Sequence, residues 1–385
     1  MTGHERGPIA ELRDLDGAPL GDLPAPEPVP DLGTYLRERE SCLSRSPERV
    51  RNYQAYLRSA RRSPQVDYLP LRLDFENVSR CNFRCTMCTV SEWHKGKRAD
   101  DMPVDAFKRI LDEQFGLLEI KVQGLGEPTL QGDDYFEMIR YARAKGIWVR
   151  TTTNASLLHL KNNYRKLIDS GVNEVQISID GADRTTFESI RRQSDFARVV
   201  SNCKLINSYC AQLGIERTKM WTVVQKANRS QLSSLVELAH ELGFRTLAFS
   251  INMNDWGTER WRKINDAVSV EHSFTRAEAE RLMKRGRDLG VKISFWNVTH
   301  KYSSDSVEQL CPWPFERAYV SSDLRVVPCC IIANPEVSEI GAIRDEFTSV
   351  WKGESMARFR EAHLKGEIPA ECRFCYKTPT TPRPA

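Results

Sequence analysis

Short apolar runs alternate with amphipathic stretches along most of the chain between residues 71 and 250. The runs contain many β-branched and aromatic residues, which is typical of buried strands. The stretches between them place apolar residues three and four positions apart, the period of a helix that packs on one side. The pattern predicts strands at Leu71–Phe75, Glu119–Gln123, Trp148–Thr152, Val175–Ile179, Lys219–Val224 and Thr246–Ser250, and helices at Asp105–Phe115, Tyr135–Lys145 and Gln231–Leu242.

Strands that alternate with helices in this way pair in parallel, because each helix returns the chain to the same end of the sheet. The predicted fold is therefore α/β, with a full or partial barrel of parallel strands. A further helix near Thr275–Leu289 and a strand at Lys292–Phe295 follow the sixth run. Reactive groups of such barrels lie at the carboxyl ends of the strands. The loops after the strands are therefore where we expect the chemistry.

The two ends of the chain have a different composition from the barrel region. Residues 1–30 contain six prolines, and residues 378–385 form a similar Pro- and Thr-rich end, which predicts that both are mobile. Apolar positions between Leu32 and Arg62 predict one or two helices, and from about residue 305 the sequence consists of short Cys-, Pro- and Gly-containing segments. The predicted organisation is a mobile tail with a helical extension at 1–69, a partial barrel at 70–304, a small Cys-rich domain at 305–377 and a mobile tail at 378–385.

Charge and hydropathy narrow the class of protein. The 385 residues include 56 Lys and Arg against 52 Asp and Glu, and this near balance does not predict a nucleic-acid partner. No run of 18 apolar residues and no signal-peptide core occur, so we predict no membrane contact and a cytoplasmic location. Because that compartment is reducing, the 11 cysteines are expected to be metal ligands, catalytic thiols or buried residues rather than disulfides.

Cys81, Cys85 and Cys88 form a CxxxCxxC triplet directly after the first predicted strand. Three thiolates from one loop can hold one metal centre, and short Cys spacings are typical of iron–sulfur clusters. A cubic 4Fe-4S cluster bound by three thiolates leaves one iron open to a cofactor or substrate. Structural zinc sites use four protein ligands, and His94 is the residue that could complete a zinc set here.

With this triplet the chain resembles the radical S-adenosylmethionine (radical SAM) superfamily, in which CxxxCxxC follows the first strand of a partial (βα)6 barrel. The aromatic Phe83 inside the triplet fits the same pattern. The resemblance implies a 4Fe-4S cluster whose open iron binds the amino and carboxylate groups of SAM. One-electron reduction would then cleave SAM to methionine and a 5'-deoxyadenosyl radical. An external electron donor such as a flavodoxin or ferredoxin is implied as a partner.

Polar residues after the later strands follow the order that this resemblance implies. The segment Gly124–Pro128 is similar to the family's GGEP loop, with Leu125 in place of one glycine. Glycine would let the backbone approach the ligand, and a carboxylate would bind the cationic amino group. Each residue alone could be an ordinary turn or cap. The cofactor-binding residues that the resemblance implies are Gly126, Glu127, Asn154, Ser178, Asp180 and Arg191.

The C-terminal region carries a second set of cysteines, at positions 311, 329, 372 and 375. Cys311, Cys329, Cys372 and Cys375 make a closed set of four ligands, which suits either a second 4Fe-4S cluster or zinc. Beside a radical SAM core the arrangement resembles the twitch domain, the short relative of the SPASM domain, which holds one auxiliary 4Fe-4S cluster. The resemblance therefore implies two 4Fe-4S clusters and SAM as cofactors.

Cys330 adjoins Cys329, and neighbouring residues of an extended chain point in opposite directions. Cys330 is therefore interpreted either as a small buried residue or as a catalytic thiol that donates a hydrogen atom to a substrate radical. Further polar candidates near the pocket-forming segments are Asp255, His300, Glu316 and Arg317.

The resemblance assigns the type of reaction more closely than the substrate. Twitch enzymes include dehydrogenases and epimerases of sugars and aminocyclitols, so the leading hypothesis is a small-molecule substrate in natural-product (antibiotic) biosynthesis. A hydrogen would be abstracted from a hydroxyl-bearing carbon, and loss of a proton and an electron would give a ketone. The alternatives are an epimerase with a Cys hydrogen donor, a peptide-modifying maturase, and a non-enzymatic zinc-bearing binding module.

Overall fold

The computed structural model of the protein describes residues 23–377. The seven strands that were predicted agree with the apolar runs to within about two residues at each end, because burial on both faces makes such runs easy to locate. The strands are β1 (Arg72–Phe75), β2 (Arg84–Cys85), β3 (Glu119–Val122), β4 (Trp148–Thr153), β5 (Glu174–Ser178), β6 (Arg191–Arg192), β7 (Thr218–Val223), β8 (Thr246–Ser250), β9 (Lys292–Trp296), β10 (Arg317–Val320), β11 (Arg325–Val327) and β12 (Gly341–Ala342).

Ten of these strands form one sheet, in the order β12-β11-β10-β1-β3-β4-β5-β7-β8-β9. The strands from β1 to β9 in this order are all parallel to their neighbours. β9 and β12 are the two ends of the sheet, so the barrel does not close on itself. The predicted partial barrel of parallel strands is confirmed. β2 and β6 form a separate antiparallel pair above it.

Helices cover the outer face of the sheet. In the helix over Val104–Glu113, the buried residues Ala106, Phe107, Ile110 and Leu111 recur at the helical period. The Phe107 ring packs edge-on against Phe75, with 4.8 Å between ring centroids. The helices are α1 (Leu32–Ser44), α2 (Pro47–Ser59), α3 (Val104–Glu113), α4 (Asp133–Ala144), α5 (Asn163–Asp169), α6 (Arg184–Ile190), α7 (Phe196–Gln212), α8 (Leu232–Glu241), α9 (Glu259–Asp266), α10 (Arg276–Leu289), α11 (Trp313–Glu316), α12 (Phe347–Trp351) and α13 (Glu354–Lys365).

The inner face of the barrel is charged rather than filled with aliphatic side chains. Side chains alternate along a strand, so Phe75 of β1 faces the helices while Asp74 faces the interior. At the amino ends of the strands, Glu119 forms an ion pair with Arg39 of α1, with 3.3 Å between Oε2 and Nη1. A polar interior of this kind leaves room and hydrogen-bonding groups for a polar ligand above it.

The N-terminal segment is packed where it is described, so the prediction of mobility for residues 1–30 is wrong for residues 23–30. Phe295 N donates to Pro24 O at 2.8 Å, and Val29 N donates to the Glu174 carboxylate at 3.0 Å. Val29 is 1% exposed. The backbone of the edge strand β9 and the buried Glu174 carboxylate hold this segment in place, and the composition of the segment does not reveal such partners. The rest of the predicted N-terminal tail and the predicted tail at 378–385 lie outside the described residues.

The C-terminal region shares the sheet with the barrel. β10 pairs in parallel with β1, with Arg317 opposite Arg72 and Tyr319 opposite Asp74. β11 and β12 then continue the sheet in the antiparallel sense. The predicted boundary at residue 305 therefore does not interrupt the sheet. No helix within residues 23–377 is long and apolar enough to cross a membrane.

Candidate active site

A cavity of about 370 Å³ lies at the carboxyl ends of the barrel strands and extends down into the barrel. Its walls come from the loops after β1, β3, β4 and β5 and from the C-terminal region. Both predicted groups of cysteines reach it, because β10 places the C-terminal region directly beside β1. The cavity is therefore the place where the two groups could act on one ligand.

The CxxxCxxC loop contributes all three of its thiols to the cavity wall. The loop is held by the β2–β6 pair, in which Cys85 lies opposite Arg191. Burial and, to a smaller extent, the neighbouring Cys85 raise the pKa of the Cys88 thiol to about 12. Buried thiols that raise one another's pKa gain by binding a cation such as iron, which stabilises the thiolate form. The triplet Cys81, Cys85 and Cys88 thus has the chemistry of a cluster-binding loop.

Gly126 allows two loops to pack closely. A Cβ atom there would lie 2.3 Å from Arg80 O and 2.6 Å from Val78 O, both backbone atoms of the loop after β1. Glu127 N donates to Arg80 O at 2.9 Å across the same contact. The glycine was expected to let backbone approach a ligand, but the close approach is between the two protein loops. A side chain here would separate the CxxxCxxC loop from β3.

Leu125, which replaces one glycine of the family's GGEP loop, packs against the C-terminal region. It contacts the apolar cluster of Tyr319, Val327 and Ala333, with Cys330 beside it. The departure from the family pattern therefore supplies an apolar contact between the barrel and the β10–β11 hairpin.

The Glu127 carboxylate accepts several hydrogen bonds within the protein. It accepts bonds from the Thr129 and Thr153 hydroxyls, both at 2.6 Å, and from Asn154 N at 2.7 Å. Burial raises its pKa, whereas these donors lower it. Glu127 lines the cavity but also joins the loop after β3 to the loop after β4. Its geometry is that of a positioning residue for Asn154.

Asn154 contacts the CxxxCxxC loop directly. Its Nδ2 donates to Asn82 Oδ1 at 3.0 Å and lies 3.9 Å from Cys81 Sγ. Ser178, at the end of β5, also lines the cavity. The structure thus brings both predicted residues to the cavity wall.

Asp180 and Arg191 form a buried ion pair, with 2.6 Å between Oδ2 and Nη2. Arg191 Nη1 also lies 3.9 Å from Cys85 Sγ. Burial raises the pKa of Asp180, and the guanidinium of Arg191 lowers it. The guanidinium Nε has no hydrogen-bond partner and Arg191 lines the cavity. Arg191 can therefore bind an anion there while Asp180 holds it in place.

Three thiols of the second group, Cys311, Cys329 and Cys375, line the same cavity. Cys372 lies in the turn Ala370–Cys375, where burial and then the Cys329 and Cys311 thiols raise its pKa well above the ordinary value. The structure brings the four thiols of the predicted set to one region, although Cys311 and Cys375 are 64 residues apart in the chain.

Cys330 lines the cavity and packs against the apolar cluster of Tyr319, Val327 and Ala333. Burial raises its pKa, and so do the Asp74 carboxylate and the Cys329 thiol. Lys121 and Arg317 oppose that effect. Cys330 therefore borders both an apolar cluster and the charged inner wall of the barrel.

Asp74 lines the cavity but was not among the predicted site residues. It lies in the middle of β1, and burial raises its pKa while Arg317 and Lys121 lower it. The signal was present in the alternation of charged and apolar residues in Leu71–Phe75, which places charge on the inner face. Of the other polar candidates, Glu316 accepts a bond from Tyr56 at 2.9 Å and Asp255 pairs with Arg262 at 3.0 Å.

The donor sets suit a cluster better than a single zinc ion. Sulfur atoms around tetrahedral zinc lie about 3.8 Å apart, given a Zn–S distance of about 2.3 Å. Within residues 23–377, no three His, Cys, Asp or Glu side chains gather closely enough to hold one metal ion. His94, the proposed fourth zinc ligand, is exposed on a short turn. Sets of three and four cysteines around one cavity are the donor type that iron–sulfur clusters use.

Two family models match the chain. That of the radical SAM superfamily matches residues 78–239, and that of the SPASM iron-sulfur cluster-binding domain matches residues 311–376. Together they cover more than half of the chain. The chain belongs to the radical SAM superfamily. As a radical SAM enzyme with a SPASM domain, it uses SAM and 4Fe-4S clusters, as predicted. Membership also disfavours the zinc-bearing binding module.

Curated relatives of this radical SAM enzyme have diverse names. It is 25% identical over 332 residues to the AdoMet-dependent heme synthase of Methanosarcina barkeri, covering 80% of this chain and 88% of the relative. It is 26% identical over 220 residues to the mycofactocin maturase MftC of Mycobacterium ulcerans, covering 56% and 57%. The relatives therefore support the enzyme class and not one particular substrate.

Among solved structures, the chain is similar to Streptococcus suis SuiB bound to its precursor peptide SuiA. The TM-score is 0.58 at 14% identity, and the alignment covers 91% of this chain and 76% of SuiB. At this identity the likeness shows the fold alone. It confirms the radical SAM fold for nearly the whole described chain.

Proposed function

We propose that this radical SAM enzyme oxidises a hydroxyl-bearing carbon of a small polar substrate, a sugar or aminocyclitol, to a ketone. The observation that carries the proposal is the single cavity that both groups of thiols share, with a charged inner wall between them. The charged side chains of that wall, among them Asp74, Lys121 and Arg317, favour a hydroxylated ligand.

We assign the first cluster to Cys81, Cys85 and Cys88, and the auxiliary cluster to Cys311, Cys329, Cys372 and Cys375. The SAM site would consist of the surrounding loops, with Arg191 binding the cofactor carboxylate and Asn154, Ser178 and Gly126 forming its walls. Glu127 would position Asn154. The donor of electrons would be an external protein such as a flavodoxin or ferredoxin, and the reducing cytoplasm is the location that suits such chemistry.

When bound, the clusters and SAM supply a hydrogen-abstracting radical and a one-electron acceptor. The protein must then orient the substrate and remove the hydroxyl proton. Asp74 is the proposed proton acceptor, because its carboxylate lines the cavity between Lys121 and Arg317. Burial raises its pKa toward the range in which a carboxylate is an effective base.

The test is an anaerobic reaction of the reconstituted enzyme, SAM and a reductant with a panel of sugars, aminocyclitols and peptides, followed by mass spectrometry. We expect a product that lacks two hydrogens and reacts with a carbonyl-trapping reagent, with one 5'-deoxyadenosine per ketone. Turnover of peptides alone would contradict the proposal and favour a maturase, the activity named for one of the relatives.

Epimerisation is the second candidate, and the position of Cys330 supports it. The thiol lines the cavity beside Asp74, where it could return a hydrogen atom to a substrate radical. The same reaction in deuterated water separates the two candidates. An inverted carbon that carries solvent deuterium, lost in Cys330→Ala, would identify an epimerase, whereas ketone formation that survives Cys330→Ala supports oxidation.

A further inference from the structure

Two side chains of β10 leave polar atoms without partners in the cavity wall. Arg317 is 6% exposed and its Nε and Nη2 atoms make no hydrogen bond. Tyr319 is 2% exposed and its hydroxyl likewise has no partner. Buried donors without partners are destabilising, more so when charged, so they are rare unless a ligand completes them. Both residues line the cavity.

The protein fixes the Arg317 guanidinium without neutralising it through a close ion pair. The guanidinium stacks over the Trp313 ring at 4.5 Å from the ring centroid. Its nearest carboxylate, Glu316, lies 4.0 Å away from Nε, and Glu316 Oε1 is itself without a hydrogen-bond partner. That distance is beyond a hydrogen bond. Arg317 is therefore oriented by an aromatic ring and keeps donors available toward the cavity.

The strand geometry places the two donors on one face. Arg317 and Tyr319 are two residues apart on β10, so their side chains project to the same side of the sheet. Tyr319 lies opposite Asp74 in the neighbouring strand. Burial raises the pKa of the Tyr319 hydroxyl well above its ordinary value, which keeps it protonated and able to donate. An acceptor group bound here would hold the rest of the ligand beside Asp74 and Cys330.

We propose that the substrate carries an acidic group, a carboxylate or a phosphate, which binds to Arg317 and Tyr319. A planar guanidinium with free donors matches the paired oxygens of either group, and a neutral hydroxyl donor can complete the contact. The proposal rests on the proposed function in one respect, namely that this cavity is the substrate site. It narrows the substrate class to acidic sugars or cyclitols, and Arg317 becomes a specificity-determining residue.

The experiment measures binding rather than turnover. Reconstituted enzyme loaded with SAM is titrated anaerobically by calorimetry with glucose, glucosamine, glucuronate and glucose 6-phosphate. We expect glucuronate or glucose 6-phosphate to bind at least about tenfold more tightly than glucose, the lower end of the effect of a charge-assisted bond. The better of the two acids identifies the carboxylate or the phosphate as the preferred group.

Variants then localise the effect. Arg317→Gln should remove the preference for the acid, Arg317→Lys should keep only part of it, and Tyr319→Phe should weaken acid binding by a smaller factor. Arg358→Gln, an exposed arginine on α13, is the matched control and should change nothing. Unchanged iron content and SAM binding show that each variant is folded.

Three results would overturn the inference. The first is glucose or glucosamine binding as tightly as both acids. The second is no measurable binding of either acid at concentrations of tens of millimolar. The third is a preference for the acid that survives Arg317→Gln. The proposed oxidation is tested by a different outcome. Acids that bind through Arg317 but give no ketone would contradict the oxidation and leave the acid site intact. Ketone formation from a neutral sugar would support the oxidation and contradict the acid site.

Discussion

The two cysteine regions of this enzyme are built in different ways. Cys81, Cys85 and Cys88 come from one loop. The two residues of β2 in this loop pair with β6 and so fix its position. The second group is collected from the segments around Cys311, Cys329 and the turn at Ala370–Cys375, and the β10–β11 hairpin joins them to the barrel. The first site is therefore a local structure, whereas the second exists only once the sheet is assembled. The cavity between them belongs to both.

This difference has a functional counterpart. The local loop lies beside the predicted SAM residues Asn154 and Arg191, so its surroundings suit the generation of a radical. The C-terminal region instead brings Arg317, Tyr319 and Cys330 to the cavity wall, so in the proposed function it supplies substrate contacts as well as thiols. Changes in the two regions should therefore affect different steps.

The largest effect is expected from replacing Cys81, Cys85 and Cys88 together by Ala. Two cubane clusters predict about eight irons per chain, and the triple variant should retain about four and form no 5'-deoxyadenosine. Iron and sulfide analysis with chromatography of the nucleoside products measures both. Cys203→Ala, which removes a buried thiol of α7 far from either group in sequence, should keep the full iron content. Continued SAM cleavage by the triple variant would refute the assignment of the first site.

Replacing Cys372 and Cys375 by Ala should remove the second cluster and leave the first one in place. The variant should again hold about four irons, now in the first site, and lose the oxidised product while it keeps some SAM cleavage. The reason is that only the second group would accept the electron. Product formed at the normal rate by this variant would mean that the C-terminal region has a structural role alone.

Asp74, which lies where the two regions meet, should control the pH dependence of product formation. As a base it must be ionised, so the rate should fall as the pH is lowered through its pKa. Burial raises that pKa, so the loss should begin at a higher pH than for an exposed Asp. Asp74→Asn should slow product formation by about 10²-fold or more and flatten this acidic limb. Uncoupled SAM cleavage is the control, and an unchanged pH profile would exclude Asp74 as the base.

A smaller effect is expected from Arg191→Lys, which tests how the first region holds SAM. The lysine keeps the charge beside Asp180 but lacks the planar fork, so we expect SAM to bind about tenfold more weakly with both clusters retained. Arg191→Ala should in addition destabilise the fold by about 3–5 kcal/mol, because Asp180 would be left as an unpaired buried charge. Calorimetric SAM titration and thermal unfolding measure the two consequences. Unchanged SAM affinity in Arg191→Lys would show that Arg191 serves only the ion pair.

The parallel strands and the location of the first thiol group could be predicted from the sequence alone, and the cofactors followed from the family resemblance that the triplet carries. The strands and the triplet are encoded locally, in strand-length apolar runs and in three cysteines within eight residues. The helical extension followed in the same way from the period of apolar residues between Leu32 and Arg62. Segments that interact only with their neighbours can be located from spacing alone.

Which residues form the cavity depends on the tertiary structure. Asp74 and Tyr319 are 245 residues apart and meet because β10 pairs with β1, a register that no local period specifies. The contacts of Gly126 and Glu127 arise for the same reason: Gly126 allows the backbone of another loop to approach, and Glu127 accepts hydrogen bonds from Thr153 and Asn154 at the end of β4. Parallel pairing between distant segments is set by the fit of the whole sheet, so the contacts it creates appear only when the chain is folded.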